Sequence, residues 1–453
     1  MTDTARLRLL NGKPVANGDY VLYWMQQSQR AEENHALEHA IARGNALGLP
    51  VLVGFGLTPD YPDANLRHYA FMLEGLREVR RALDQRGIRF VLRHGRPPEV
   101  ALRLGRRAAC IVCDRGYLRH QKSWREELAR EARCPVEQLE CDATVPVETA
   151  SVRQEFSARN FRPKVMRLYR MYLDEPIRAR PQFDSRPLDV ESLDIDDEDA
   201  VWGPLSVDTS VKPVPGLTGG TSVAKRRLGV FIRAGLGGYA GHRGRPASDF
   251  VSRMSPYLHF GQISPAYVAR RIHAARAAED CKASYLDELI VRRELCVNYV
   301  HYCRDYDRPA GLPRWARDTL KKHQSDRRPH RYTLRELEGA ATHDPYWNAA
   351  MNEMKHTGHM HNHMRMYWGK QILAWTERPE TAYRITLGLN HKYFLDGRDP
   401  SSYANVGWIF GLHDRPWPER EIFGTVRSMT MAGLEQKADP GAYVEKVRRL
   451  CGL

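Results

Sequence analysis

One arginine, one amide and two carboxylates sit among tryptophans in the C-terminal third of the chain. They are Arg365, Asn390, Asp396 and Asp399, in the runs MKHTGHMHNHMRMYWGKQILAW and LNHKYFLDGRDPSSYANVGW. Four of the nine tryptophans fall between Trp347 and Trp408, where even spacing would put about one. Tryptophan is large and easily oxidised, so this cluster beside polar groups points to a redox cofactor with aromatic steps leading to the surface. An aromatic-rich helical core is the other reading.

At about 100° per residue, a helix over 360–375 carries two stripes. Met364, Trp368, Ile372 and Trp375 form one; Asn362, Arg365, Met366 and Gly369 form the other. Arg365 lies on an apolar stretch, and burial would oblige it to find a carboxylate, with Asp396 or Asp399 at hand in DGRDP. His356, His359, His361 and His363 have metal-like spacing but no Cys or carboxylate in the run, and Gly358 breaks the helix there; solvated or cofactor-contacting histidines fit better than a metal. In SRMSPYLHFGQISP, Ser255 and Ser264 each precede proline and cap a helix. With Arg253 just ahead, the first start suits a diphosphate or is plain capping. Glu288 lies among apolar neighbours in LDELIVRREL, either paired with Arg292 or held protonated for chemistry. GLGGYA (235–240) satisfies GxGxxA but follows a helical run, AKRRLGVFIRAG, so no dinucleotide site is expected. Cys110 and Cys113 sit in an apolar run and read as buried strand thiols rather than zinc ligands.

Two elements must position these groups. At 453 residues the chain exceeds one ordinary core. Apolar runs YVLYWM, PVLVGFG, IRFVLRHG, ACIVCDRG and VEQLECD alternate with helical patterns over 31–47, 64–86, 97–106 and 118–132, which builds a doubly wound parallel sheet. A Pro-, Gly- and Asp-rich stretch over 180–222 reads as a surface connection, and helical signals dominate beyond it. The net charge of +14 favours nucleic acid as partner, and no run of eighteen apolar residues or signal-peptide core occurs. A soluble, cytoplasmic, DNA-associated monomer is the expectation.

SRMSPYLHFGQIS, LDELIVRREL, DPYWNAAMNEM, HNHMRMYWGKQILAW, LDGRDP, GLHDRPW and IFGTVRSM, with YWMQQSQR and FRPKV ahead of them, resemble the class II cyclobutane pyrimidine dimer photolyases along essentially the whole chain. The resemblance implies an α/β Rossmann-like antenna domain (18–150), a linker (151–223) and an all-α FAD-binding domain (224–453). It implies that Tyr239 and the run Val251, Ser252, Arg253, Met254, Ser255 cradle the FAD diphosphate, with Asn362, Arg365, Asp396 and Asp399 beside the cofactor and Asn390 at the flavin ring edge. Glu288 would hydrogen-bond the dimer, Met366 and Trp408 would line the lesion pocket, and Arg243 and Arg292 would meet DNA. Trp347, Trp368 and Trp375, with Tyr332, would relay electrons. The implied activity is light-driven: reduced, anionic FAD lends an electron to a dimer flipped out of UV-damaged DNA, the cyclobutane ring opens, and the electron returns. A second, antenna chromophore would be a deazaflavin or a folate; no metal is implied.

Where the family has lysine, glycine and an aromatic residue ahead of the arginine helix, this chain has His359, Asn362 and His363; Gly244 and Arg245 replace a polar and an acidic residue after Arg243. A (6-4) photolyase would place histidines where Asn362 and Met366 stand. A cryptochrome-like blue-light photoreceptor would usually add a tail beyond the last helix, and the sequence stops soon after it.

Overall fold

The computed structural model describes residues 4–452. Six strands, β1 (Leu7–Leu9), β2 (Tyr20–Trp24), β3 (Val51–Leu57), β4 (Arg89–His94), β5 (Ala108–Asp114) and β6 (Val136–Leu139), form one sheet in the order β1-β6-β5-β2-β3-β4. All neighbours pair in parallel except β1, which runs antiparallel to β6. Strands β2, β3 and β5 are buried on both faces, so they appear in the sequence as unbroken apolar runs rather than alternations. Val21 and Tyr23 pack under helices His35–Leu47 and Leu66–Asp84 on one face. Tyr20, Leu22 and Trp24 pack under Pro97–Gly105 and Arg119–Glu131 on the other. The same alternation sends Cys110 and Cys113 to opposite faces, where they cannot bind one metal ion together. At Gly56 a Cβ would meet Pro97 Cα at 2.8 Å, so the helix can lie against β3 only above glycine.

The connection beyond the sheet does not hang in solvent. Ser185 N–H donates to Gly87 at 2.9 Å and Leu193 N–H to Leu92 at 2.9 Å, which covers the edge strand β4, and Ile195 and Val201 are buried. Earlier in it, helix Ala158–Leu168 inserts Phe161 and Val165 into the core of the helical half.

From Thr221 to Cys451 the structure is helical. One core gathers Trp347, Trp368, Trp375, Tyr367 and Tyr383; another gathers Phe231, Tyr239, Tyr257 and Tyr285. Helix Thr221–Ala234 ends at Gly235, as GLGGYA requires. Ser264 caps Tyr267 N–H and Asp344 caps Tyr346 and Trp347. Ser255 does not cap: it is the first residue of its own helix, Ser255–His259, with Met254 before it. The two halves are clasped by buried Arg30, which donates to Asp142 (2.6 Å), Cys141 O (2.9 Å) and Gly261 O (2.8 Å). No helix among the described residues is long and apolar enough to cross a membrane.

Candidate functional site

The helix Asn362–Trp375 starts after Gly358, whose φ of 64° ends the preceding helix Pro345–Thr357. Its apolar stripe is interior: Met364, Trp368, Ile372 and Trp375 are all buried. Its other stripe is not; Asn362 is exposed, and Arg365 and Met366 are half-buried. Arg365 Nη2 reaches Asp396 Oδ1 and Oδ2 at 2.9 and 3.0 Å, and the guanidinium lies 3.8 Å over the Phe394 ring. Gly369 leaves room for Ile409, which a Cβ there would meet at 2.2 Å.

Asn390, on helix Pro379–Tyr393, is 4 % exposed, and its side-chain Nδ2 has no partner. Asp399 caps helix Pro400–Ile409 through Ser401 N–H (2.8 Å) and faces His259 Nδ1 at 3.4 Å. Burial alone would raise its pKa; His259, the Arg293 charge and the Ser401 amide win, and the carboxyl is held down at about 2. Asp396 and Asp399 therefore serve different partners.

The loop before Ser255 is tied from several sides. Arg253 has a left-handed φ of 52° and donates to Asp249 at 3.2 Å, while Lys446 of the last helix also reaches Asp249 at 2.8 Å. Tyr285 donates to Ser252 Oγ at 3.0 Å, and its ring centroid lies 5.2 Å from that of Tyr239. Val251 and Ser255 are half-buried and Met254 is buried.

Glu288 lies on a π-helical turn, Asp287–Arg292. Of the two readings of Glu288, pairing with Arg292 does not form: Glu288 is bound by Arg243, and Arg292 reaches Asp287 at 3.6 Å. Asp287 and Arg292 are the first and last residues of that turn, whose backbone hydrogen bonds run from i to i+5. Arg243 is also within 6.0 Å of the Tyr239 ring, and Arg292 lies 5.8 Å over Trp408, a half-buried side chain.

The aromatic residues form a chain. Trp368 and Trp347 are 6.5 Å apart and stacked; Trp347 and Trp375 are 5.4 Å apart; Trp375 and Tyr332 are 5.0 Å apart. Trp368 and Trp347 are fully interior, whereas Tyr332 is half-buried.

A second concavity lies beyond the carboxyl ends of β2 and β3. It is lined by Met25, Gln29, Leu57, Tyr61, Trp124 and, from the helical half, His259. Gln26 Nε2 and Gln29 Oε1 are buried there without partners. Sequence reasoning did not find this cleft, nor His259, Tyr285, Phe394 and Lys446 as supports of the site, because each acts on a partner distant in the chain.

The DNA photolyase family model matches residues 21–182. A deoxyribodipyrimidine photo-lyase of Methanothermobacter thermautotrophicus is 48 % identical over 99 % of both chains. One from Oryza sativa subsp. japonica is 38 % identical over 99 % of this chain and 91 % of its own. The solved structure of an archaeal photolyase from Sulfolobus tokodaii with two FAD molecules superposes with a TM-score of 0.70 at 16 % identity, over 94 % of this chain and 89 % of that one. A likeness that runs end to end, over both the sheet and the helices that carry the Arg365–Asp396 pair, places the chain in the photolyase/cryptochrome family.

Proposed function

We propose that this chain is a light-driven repair enzyme for cyclobutane pyrimidine dimers in DNA, with FAD, in its reduced anionic form, as the active cofactor. The observation that carries the reading is the end-to-end identity of 48 % with a deoxyribodipyrimidine photo-lyase.

The residues present fit FAD. A buried amide without a partner costs about 1–3 kcal/mol, and the acceptor-rich edge of a flavin would satisfy Asn390 Nδ2. Arg365, fixed by Asp396 and Phe394, supplies a cation beside the ring; Asp399, Asn362, Tyr239 and the run Val251–Ser255 complete the proposed cradle, with Arg253 as the cation toward the diphosphate. When bound and reduced, the flavin supplies the electron that light lends to the dimer.

Glu288, as a neutral acid beside Arg243, is proposed to donate a hydrogen bond to a dimer carbonyl and so stabilise the charge that the dimer gains; Met366 and Trp408 are proposed to line its pocket. A dimer already weakens stacking and pairing, so it is the cheapest base step to flip out. Arg243 and Arg292, within a chain of net charge +14, supply phosphate affinity. Trp368, Trp347, Trp375 and Tyr332 are proposed to carry electrons inward when the flavin must be reduced. The cleft beyond β2 and β3 suits a planar antenna chromophore, a deazaflavin or a folate, whose polar edge would meet Gln26 and Gln29.

The test is a dark titration of flavin-loaded protein with duplexes carrying a thymine dimer, a (6-4) product or no lesion. The dimer duplex binds tightest; preference for the (6-4) product, or no preference, overturns the assignment.

A further inference from the structure

We propose that Tyr332 and His343 form a proton-coupled redox pair that ends the aromatic chain at the surface, with His343 Nδ1 as the acceptor of the phenolic proton. The inference rests on the relay proposed above and adds a base to it.

Tyr332 Oη accepts from the His343 backbone N–H at 3.0 Å and lies 2.5 Å from Nδ1 of the same residue. Because the oxygen already accepts the amide proton, its own hydrogen faces Nδ1, and a neutral imidazole can receive it. His343 is exposed and stacks on exposed His330 at 3.7 Å. Partial desolvation of the ring first, then the neighbouring His330, lowers the His343 pKa, against the opposing pull of Asp344, which favours the neutral acceptor form.

The two inner tryptophans lack such a base. Trp347 Nε1–H donates to the Trp368 backbone carbonyl at 2.9 Å, and Trp368 Nε1 has no partner. An oxidised phenol is a strong acid, so tyrosine is oxidised readily only where a base is in place. Trp375, 5 % exposed, is 5.0 Å from Tyr332 and 5.5 Å from His343, so the pair meets the end of the chain edge-on.

The step balances. A Trp375 radical cation takes one electron from Tyr332; the O–H bond breaks and its proton passes to His343 Nδ1. The products are neutral Trp375, a neutral tyrosyl radical and an imidazolium. A thiol in solution later returns one electron to Tyr332 as His343 returns the proton. The electron removed at the start stays on the photo-oxidant that drew it from the chain.

The test is time-resolved absorption and electron paramagnetic resonance on flavin-loaded protein. Excitation is either of oxidised flavin or of an added ruthenium polypyridyl photo-oxidant, in H2O and D2O. A tyrosyl radical is expected, absent in Tyr332→Phe, slower in D2O, and formed about 10²-fold more slowly in His343→Phe, the low end of what a positioned proton acceptor contributes. His343→Gln, which keeps a weak acceptor, falls between. An unchanged rate in His343→Phe, a tyrosyl signal that survives Tyr332→Phe, or tryptophanyl radicals alone with ruthenium overturns the pair. A tyrosyl radical with ruthenium but none with flavin excitation leaves the pair standing and refutes the relay instead.

Discussion

Arg365 and Asp396 meet across the turn that follows helix Pro379–Tyr393, with Nη2 shared between both carboxylate oxygens at 2.9 and 3.0 Å. Both side chains are largely buried, at 16 % and 11 % exposure, so removing one charge strands the other. Asp396→Asn is expected to cost about 3 kcal/mol, the lower end for breaking a buried pair, and to reduce flavin retention. Thermal unfolding and flavin absorbance per chain check this; unchanged flavin content contradicts it.

Glu288 belongs to the lesion side of the proposed site, not the flavin side. Glu288→Ala is expected to lower dimer repair per absorbed photon by about 10²-fold, the scale of one lost charge-stabilising contact, with flavin content unchanged. Repair at saturating lesion DNA measures it.

Arg292 stacks on Trp408 and, with Asp287 as a weak ion-pair partner at 3.6 Å, is available to a phosphate. Arg292→Ala should reduce the slope of log affinity against log salt by about 1 and weaken damaged and undamaged DNA alike. Binding titrations over a salt series report the slope.

Lys370, 1 % exposed on the arginine helix, donates to the Ile409 carbonyl, and burial lowers its pKa from 10.5 to about 7. Between those values the unfolded chain binds the proton and the folded one does not, so stability rises with pH. The contribution is full above the unfolded pKa and is lost as pH falls through about 7. At about 1.4 kcal/mol per pKa unit, it is on the order of 5 kcal/mol. Lys370→Met should remove this slope; denaturant unfolding of both proteins at neutral and alkaline pH gives the difference.

Much of the architecture was legible because it rests on local burial. Strands β2, β3 and β5 read as apolar runs since both faces are covered, whereas the three residues of β1 are half or fully exposed and gave no pattern. The Arg365–Asp396 pair was foreseeable because a buried arginine needs an acid. The partner of Glu288 was not: helical spacing offered Arg292, but Arg292 reaches Asp287 and the pair is closed by Arg243, 45 residues earlier in the chain. His259 meets Asp399 across 140 residues, and nothing in either local sequence announces it. Ser255 followed by Pro256 looked like a cap, yet the helix begins one residue earlier than that pattern implies.

The central claim is light-driven opening of the cyclobutane ring. The most direct measurement is the return of thymine absorbance in a dimer-containing oligonucleotide mixed with photoreduced, flavin-loaded protein under near-UV or blue light, with a dark sample beside it. Recovery in the illuminated sample alone is the predicted result; bound FAD with no recovery in the light contradicts it.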